Sequence, residues 1–154
     1  METESKTVNI DGSKLKITIL TANFHPKLMG ELLGNVKKEL QRNKVKTIEV
    51  IEVPGALEIP FICKKVMEKK KADAIITLGL VIRGETTHYE LVTETTYQGL
   101  MNLQTTTAKV PIIFGVLACE NLKQAVKRIN AKGLNKGKQF AQTALLQIQT
   151  IKNI

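Results

Sequence analysis

Asp73-Ala-Ile-Ile-Thr-Leu-Gly-Leu-Val-Ile82 is an almost unbroken apolar run, and Arg83-Gly-Glu-Thr-Thr-His88 ends it abruptly. A strand with apolar residues at both parities suits a parallel sheet covered by helices on its two faces. Beyond it, Gly84 permits a turn, Thr86 and Thr87 bring hydroxyls, and a helical pattern opens near His88. A glycine turn feeding a helix start collects backbone N–H groups and the positive end of the helix dipole, which is a cradle for an anion. His88, one of two histidines, stands at its rim. Imidazole is suited to moving protons near neutral pH, so the stretch points to a phosphate-bearing substrate beside an acid/base group.

Working outward, the same alternation repeats. Leu15 to Leu20 reads as the first strand, and Pro26 fits the first turn of a helix carrying Leu28, Met29, Leu32, Leu33, Val36 and Leu40 at helical spacing. Gly30 and Gly34, four apart on that helix, read either as a point of close approach or as weak spots. Thr47 to Val53 is the second strand, and a helix from near Glu58 carries Ile59, Ile62, Cys63, Val66 and Met67. The helix after the third strand is expected from about His88 to Thr106, with Val92, Thr96, Gly99, Leu100 and Leu103 inward. Val110 to Leu117 reads as the fourth strand, with Pro111 tolerable at its start.

Leu122, Ala125, Val126 and Ile129 outline a short helix, and residues 130–137 form a glycine- and lysine-rich link. A last helix, near Lys138 to Lys152, turns Ala141, Ala144, Leu145 and Ile148 inward. Residues 1–14 are polar and aperiodic, and read as a flexible arm or an edge strand. The βαβαβαβαα order predicts one domain over residues 15–154, a parallel sheet with right-handed crossovers and ligands beyond the carboxyl ends of its strands.

Composition narrows the function classes. At 154 residues, with 43% hydrophobic and 24% charged residues, the chain suits a single soluble domain with its own core. No apolar run approaches the roughly 20 residues that span a bilayer, and the polar N-terminus lacks a signal core, so a cytoplasmic location without membrane contact is expected. The formal charge of +9 raises nucleic acid as a partner, but aromatics are only 4% and Trp is absent, which leaves little for base stacking. The lysines are spread along helix exteriors and read as a solvated surface. Cys63 and Cys119 have no CxxC spacing and no nearby histidine, so reduced, buried thiols are expected rather than a metal site.

Four strand ends supply the candidate groups: Phe24 with His25, residues 54–58, residues 83–88, and the end of the fourth strand with Phe114, Cys119 and Glu120. Each signal is weak alone. Phe24 suits packing or stacking equally, and His88 suits a helix cap, a surface residue or an acid/base group. Gly84-Glu-Thr-Thr lacks the spacing of a Walker loop, and no GxGxxG occurs. Their convergence on one sheet edge favours function.

Val53-Pro-Gly-Ala-Leu-Glu-Ile-Pro60, Leu78-Gly-Leu-Val-Ile-Arg-Gly-Glu-Thr-Thr-His88, Pro111-Ile-Ile-Phe-Gly-Val116 and Lys132-Gly-Leu-Asn-Lys-Gly137 together resemble the 6,7-dimethyl-8-ribityllumazine synthase family of riboflavin biosynthesis, in order and spacing. The resemblance covers roughly residues 15 to 150. It implies a single three-layer α/β/α domain with a four-stranded parallel sheet, flavodoxin-like. It also implies condensation of 5-amino-6-(D-ribitylamino)uracil with 3,4-dihydroxy-2-butanone 4-phosphate, needing no metal or organic cofactor.

By the same resemblance Phe24 would stack on the pyrimidine, Ala56, Leu57 and Glu58 would meet the ribityl chain and ring, and the main chain of Leu80, Val81 and Ile82 would meet the ring edge. Glu85 and Thr86 match phosphate-binding positions, and His88 matches the proton-transfer residue. Phe114 and Arg128 match residues given by a neighbouring subunit, Arg128 gripping the phosphate, and Lys136 matches a basic residue close by. The chain departs from the family's usual pattern at Asn23-Phe24-His25, at Leu57 and at Glu85.

A homopentamer, a decamer or an icosahedral shell is implied, and the short link at residues 130–137 tilts toward the shell. Association with riboflavin synthase is a further implied partnership. Two readings of other classes stand beside this one: a non-catalytic flavin or lumazine binder on the same scaffold, and a basic nucleic-acid-binding protein.

Overall fold

The computed structural model describes residues 7–69 and 71–154. Its elements are β1 (Lys16–Ala22), α1 (Pro26–Arg42), β2 (Thr47–Val53), a 3-10 turn (Ala56–Glu58) leading into α2 (Ile59–Lys69), β3 (Ala74–Ile82), α3 (His88–Thr106), β4 (Ile112–Cys119), α4 (Leu122–Ile129) and α5 (Lys136–Lys152). All ladders are parallel, in the order β2-β1-β3-β4. The chain steps from β1 out to β2, then returns past β1 to lay down β3, so β1 and β3 form the switch point of a flavodoxin-like sheet.

The two apolar parities of the central strands explain the three layers. Ala74, Ile76, Leu78 and Leu80 of β3 join Ile17 and Ile19 of β1 beneath α1, α4 and α5. Ile75 of β3, with Leu20 and Ala22 of β1, faces α2 and α3 on the other side. Leu32, Val36 and Leu40 of α1 and Leu145 of α5 are fully buried. Each such side chain contributes roughly 1.5–3 kcal/mol relative to exposure. The one polar group in the middle of β3, Thr77, donates its hydroxyl to the Ile113 carbonyl at 2.8 Å.

Close approach of α1 and α5 depends on Gly137, where a Cβ would stand 2.8 Å from the Leu32 carbonyl oxygen and 2.9 Å from Asn35 Cβ. Gly30 and Gly34 have open space where a Cβ would lie, so neither mediates a close contact within the chain.

Two boundaries and one helix face differ from the sequence reading. β4 begins at Ile112 rather than Val110, because Pro111 has no N–H for a ladder and the Gln104 side chain of α3 bonds both the Val110 carbonyl and the Ile112 N–H. α5 begins at Lys136, capped by the Asn135 side chain, which accepts from the Lys138 N–H at 3.3 Å. On α4 only Ala125 and Ile129 face the core, while Leu122 and Val126 lie exposed.

Residues 7–14 make no ladder pairing and are held against the end of α1; residues 1–6 of the expected arm or edge strand lie outside the described residues. Val8 is buried, the Ile10 N–H donates to Asn43 Oδ1 at 2.8 Å, and Arg42 donates to the Val8 carbonyl and to Asn9 Oδ1. Glu39 is the hub of this corner, accepting from Arg42 at 2.7 Å and from Gln142 of α5 at 3.3 Å.

Burial pushes the Glu39 carboxyl up, but the hydrogen bonds from Arg42 and Gln142 outweigh it and hold the group below its ordinary value of 4.5. A depressed carboxyl adds stability above that ordinary value and loses it as pH falls through the folded value. Stability to urea should therefore drop as pH falls below 4.5. Glu39→Gln should flatten that drop while costing about 1–3 kcal/mol at neutral pH. An unchanged acid slope in the variant would remove Glu39 from this role.

Candidate active site

β1 and β3 are paired only as far as Thr21 opposite Leu78, yet β3 continues to Ile82 alongside β4. The N–H groups of Ile75 and Arg83 donate to the Pro111 and Cys119 carbonyls on the β4 side. Alternation along the strand then turns the main-chain N–H and carbonyl of Ile82 the other way, toward the lane that β1 has vacated. A central strand thus ends as an open edge able to hydrogen-bond a flat polar ligand.

Three neighbouring segments wall that lane. After β1, the Asn23 N–H donates to the Val53 carbonyl at 3.0 Å, and the chain turns sharply through His25, whose φ of 54° is left-handed. Pro26 follows, and a residue before proline is disfavoured in the right-handed helical region, so His25 stands outside the helix that its carbonyl begins. Phe24 is 63% exposed at this corner, so much of its ring is free to meet a ligand. Gly55 makes room beside it: a Cβ there would meet Glu58 Oε2 at 2.9 Å and the Phe24 ring at 3.4 Å. The 3-10 turn then carries Ala56, Leu57 and Glu58 along the lane's edge.

The third wall is the start of α3. His88 opens the helix, and its N–H donates to Thr86 Oγ1 at 3.3 Å. Gly84, Glu85, Thr86, Thr87 and His88 are all exposed, and the N–H groups of residues 84–87 face no wall that would keep a bound anion from the positive end of the helix. The loop is anchored at Arg83, whose guanidinium bonds Glu120 Oε2 at 2.6 Å, bonds Glu90, and lies 4.3 Å from the Tyr89 ring centroid. Glu120 and then Glu90 push the Arg83 value up, and Arg83 holds the Glu90 carboxyl below the usual range. Burial raises the Tyr89 phenol, helped by the charge of Glu120.

These walls enclose a cleft of about 520 Å³ lined by Phe24, His25, residues 55–58, Leu80, Val81, Ile82, His88 and Val92. Of the residues singled out in the sequence, Phe24, Ala56, Leu57, Glu58, Leu80, Val81, Ile82 and His88 meet in this one space. Glu85 and Thr86 lie in the exposed loop beside it.

Phe114, Arg128 and Lys136 lie elsewhere. Phe114 pairs with Thr77, five residues back from the end of β3, or about 16 Å along the strand. There it borders a separate hollow of about 350 Å³ with Met101 and Phe140, and its ring centroid is 6.0 Å from that of Tyr97. Arg128 donates to the Gln124 carbonyl at 3.2 Å, and Lys136 donates to Gln139 Oε1 at 3.0 Å. A hollow of about 530 Å³ between the ends of α2 and α3 gathers Lys64, Lys71 and Lys109, near the opposite end of β3 and away from both histidines.

Two residues of this region were named at the strand ends but given no role by the sequence reading. His25 lines the cleft, and its sequence signal was its place beside Phe24. Arg83 clamps the anion loop, and its partners stand seven and 37 residues further on.

A parallel α/β/α sandwich with an exposed aromatic, an open strand edge and a helix start gathered at its switch point is a flavodoxin-like protein with its cleft where that fold places ligands. A family model described as 6,7-dimethyl-8-ribityllumazine synthase matches residues 14–152, nearly the whole chain. The chain therefore belongs to the 6,7-dimethyl-8-ribityllumazine synthase family, the transferases of that step in riboflavin biosynthesis. Among the described residues no helix is long and apolar enough to cross a membrane.

Both cysteines are buried. Burial pushes the Cys63 thiol up to about 12 and raises Cys119 as well, which keeps both protonated and poorly nucleophilic. In the native protein at about pH 8 both should react slowly with a disulfide reagent, and fully on unfolding. Rapid native reaction of Cys119, followed by absorbance, would contradict its burial.

Proposed function

We propose that the chain condenses 5-amino-6-(D-ribitylamino)uracil with 3,4-dihydroxy-2-butanone 4-phosphate to 6,7-dimethyl-8-ribityllumazine, phosphate and water. The observation that carries this reading is the convergence of Phe24, Glu58, the open end of β3 and His88 on one cleft, in a chain of this family. Phe24 offers a face for the pyrimidine, and the main chain at Leu80 and Ile82 offers donors and acceptors to its edge, with Val81 between them lining the cleft. Ala56, Leu57 and Glu58 border the space for the ribityl hydroxyls.

Phosphate is both bound and released, so its site needs donors that tolerate the leaving anion. Thr86, the backbone at Glu85 and the α3 dipole supply them. His88, next to that loop, is placed to shuttle protons through Schiff-base formation, elimination and ring closure. Holding both substrates in one cleft turns a bimolecular encounter into an oriented one.

The site extends across subunits in this reading. Phe114 and Arg128 lie outside their own chain's cleft, so they would act on a neighbour's, Arg128 as a planar fork on the phosphate with Lys136 near it. Exposed apolar residues Phe61, Leu91 and Met101 on α2 and α3 favour such association. The assembly is a pentamer or a multiple of pentamers up to an icosahedral shell, cytoplasmic, with riboflavin synthase as a companion and no resident metal or organic cofactor.

Incubating the purified protein with both substrates should yield the fluorescent lumazine; none formed under verified assembly would defeat the proposal. His88→Ala should slow turnover with the assembly mass unchanged, and an unchanged rate would exclude His88. Arg128→Ala should weaken use of the butanone phosphate far more than binding of the pyrimidine. Co-assembling these two impaired variants should restore part of the activity, and no rescue in verified mixed assemblies would count against shared sites.

A further inference from the structure

We propose that Arg83 is a positioning residue for the phosphate subsite, acting on both halves of it through Glu120. The inference rests on the function proposed above and extends it to a group outside the cleft lining. Arg83 is the first residue past β3, and its N–H is tied to the Cys119 carbonyl at 2.9 Å. Its guanidinium bonds Glu120 Oε2 at 2.6 Å and Glu90 in the first turn of α3, while lying over the Tyr89 ring. One side chain therefore joins the ends of β3 and β4 to the start of α3. The exposed residues 84–87 are strung between this clamp and His88, so the orientation of their N–H groups follows from where Arg83 is held.

A second arm leads from the same carboxylate's residue to Arg128. The Glu120 N–H donates to Gln124 Oε1 at 2.8 Å, Asn121 Oδ1 caps α4 by accepting from the Gln124 N–H at 2.9 Å, and the Gln124 carbonyl accepts from Arg128 Nη1 at 3.2 Å. Displacing Glu120 thus disturbs the turn that sets the register of α4 and the aim of Arg128. In the proposed assembly Arg128 serves a neighbouring cleft. The Arg83–Glu120 pair would then align the phosphate loop of its own site and the phosphate-gripping arginine of the next, while the Arg83 guanidinium bonds Glu120 and Glu90 and none of the residues assigned to the pyrimidine.

An exposed ion pair adds little to stability, so the clamp can be removed with the fold standing. Arg83→Ala should raise KM for the butanone phosphate about tenfold while KM for the pyrimidine stays within about twofold and the assembly mass is unchanged. Arg83→Lys should fail to rescue, because an ammonium cannot bridge two carboxylates as a planar fork does. Glu120→Gln, which keeps the main-chain link to Gln124, should shift the same constant in the same direction by less. If Arg83→Ala does not assemble, Glu120→Gln decides alone.

Unchanged constants, equal changes for both substrates, or full rescue by lysine would overturn the inference. Should the wild-type protein form no lumazine, the function proposed above fails. The clamp is then read by amide hydrogen exchange at residues 85–88, which should quicken in Arg83→Ala; unchanged exchange would overturn the clamp itself.

Discussion

A strand inside a parallel sheet has its backbone satisfied on both sides only as far as both neighbours run. β1 stops pairing at Thr21 while β3 continues four residues beyond Leu78, held by β4 alone. Buried unpaired backbone groups are costly, so this end must stay open to solvent or to a ligand. The corner of Phe24 and His25, the Gly55–Glu58 turn and the start of α3 are grouped around that open end and leave it accessible. The cleft is therefore a consequence of unequal strand lengths at the switch point, and its polar recognition comes from main chain, which side-chain substitution does not erase.

Much of the fold was legible because burial on both faces leaves a plain mark. Residues 74–82 could be placed in a sheet covered on both faces from their almost unbroken apolar run, and His88 as the start of α3 followed from the turn before it. What the sequence did not disclose are features made by distant partners. The start of β4 depends on Gln104 reaching across from α3, and the α1–α5 approach depends on Gly137 rather than on the Gly30 and Gly34 pair. Residues 7–14 look featureless in composition, yet Arg42, Asn43 and the buried Val8 hold them against α1. The exposure of Leu122 and Val126 was equally hidden, since a helical stripe does not say how much of it meets a core.

The candidate site was legible in its members more than in its geometry. Phe24, Glu58 and His88 were picked out at three strand ends, and the sheet order brings those ends together. Motif order could not show that Phe114 lies far back along β4 and that Arg128 is bonded to its own helix, both outside the cleft. That separation makes a site shared between chains the economical reading of these residues.

The open end of β3 is the feature on which the cleft depends, and amide hydrogen exchange at Ile82 tests it most directly. The measurement compares the assembled protein alone with the protein saturated by 5-amino-6-(D-ribitylamino)uracil. Marked slowing at Ile82, with little change at the interior Ile76, is the expected result. Demonstrated binding of the pyrimidine with exchange at Ile82 unaltered would contradict it.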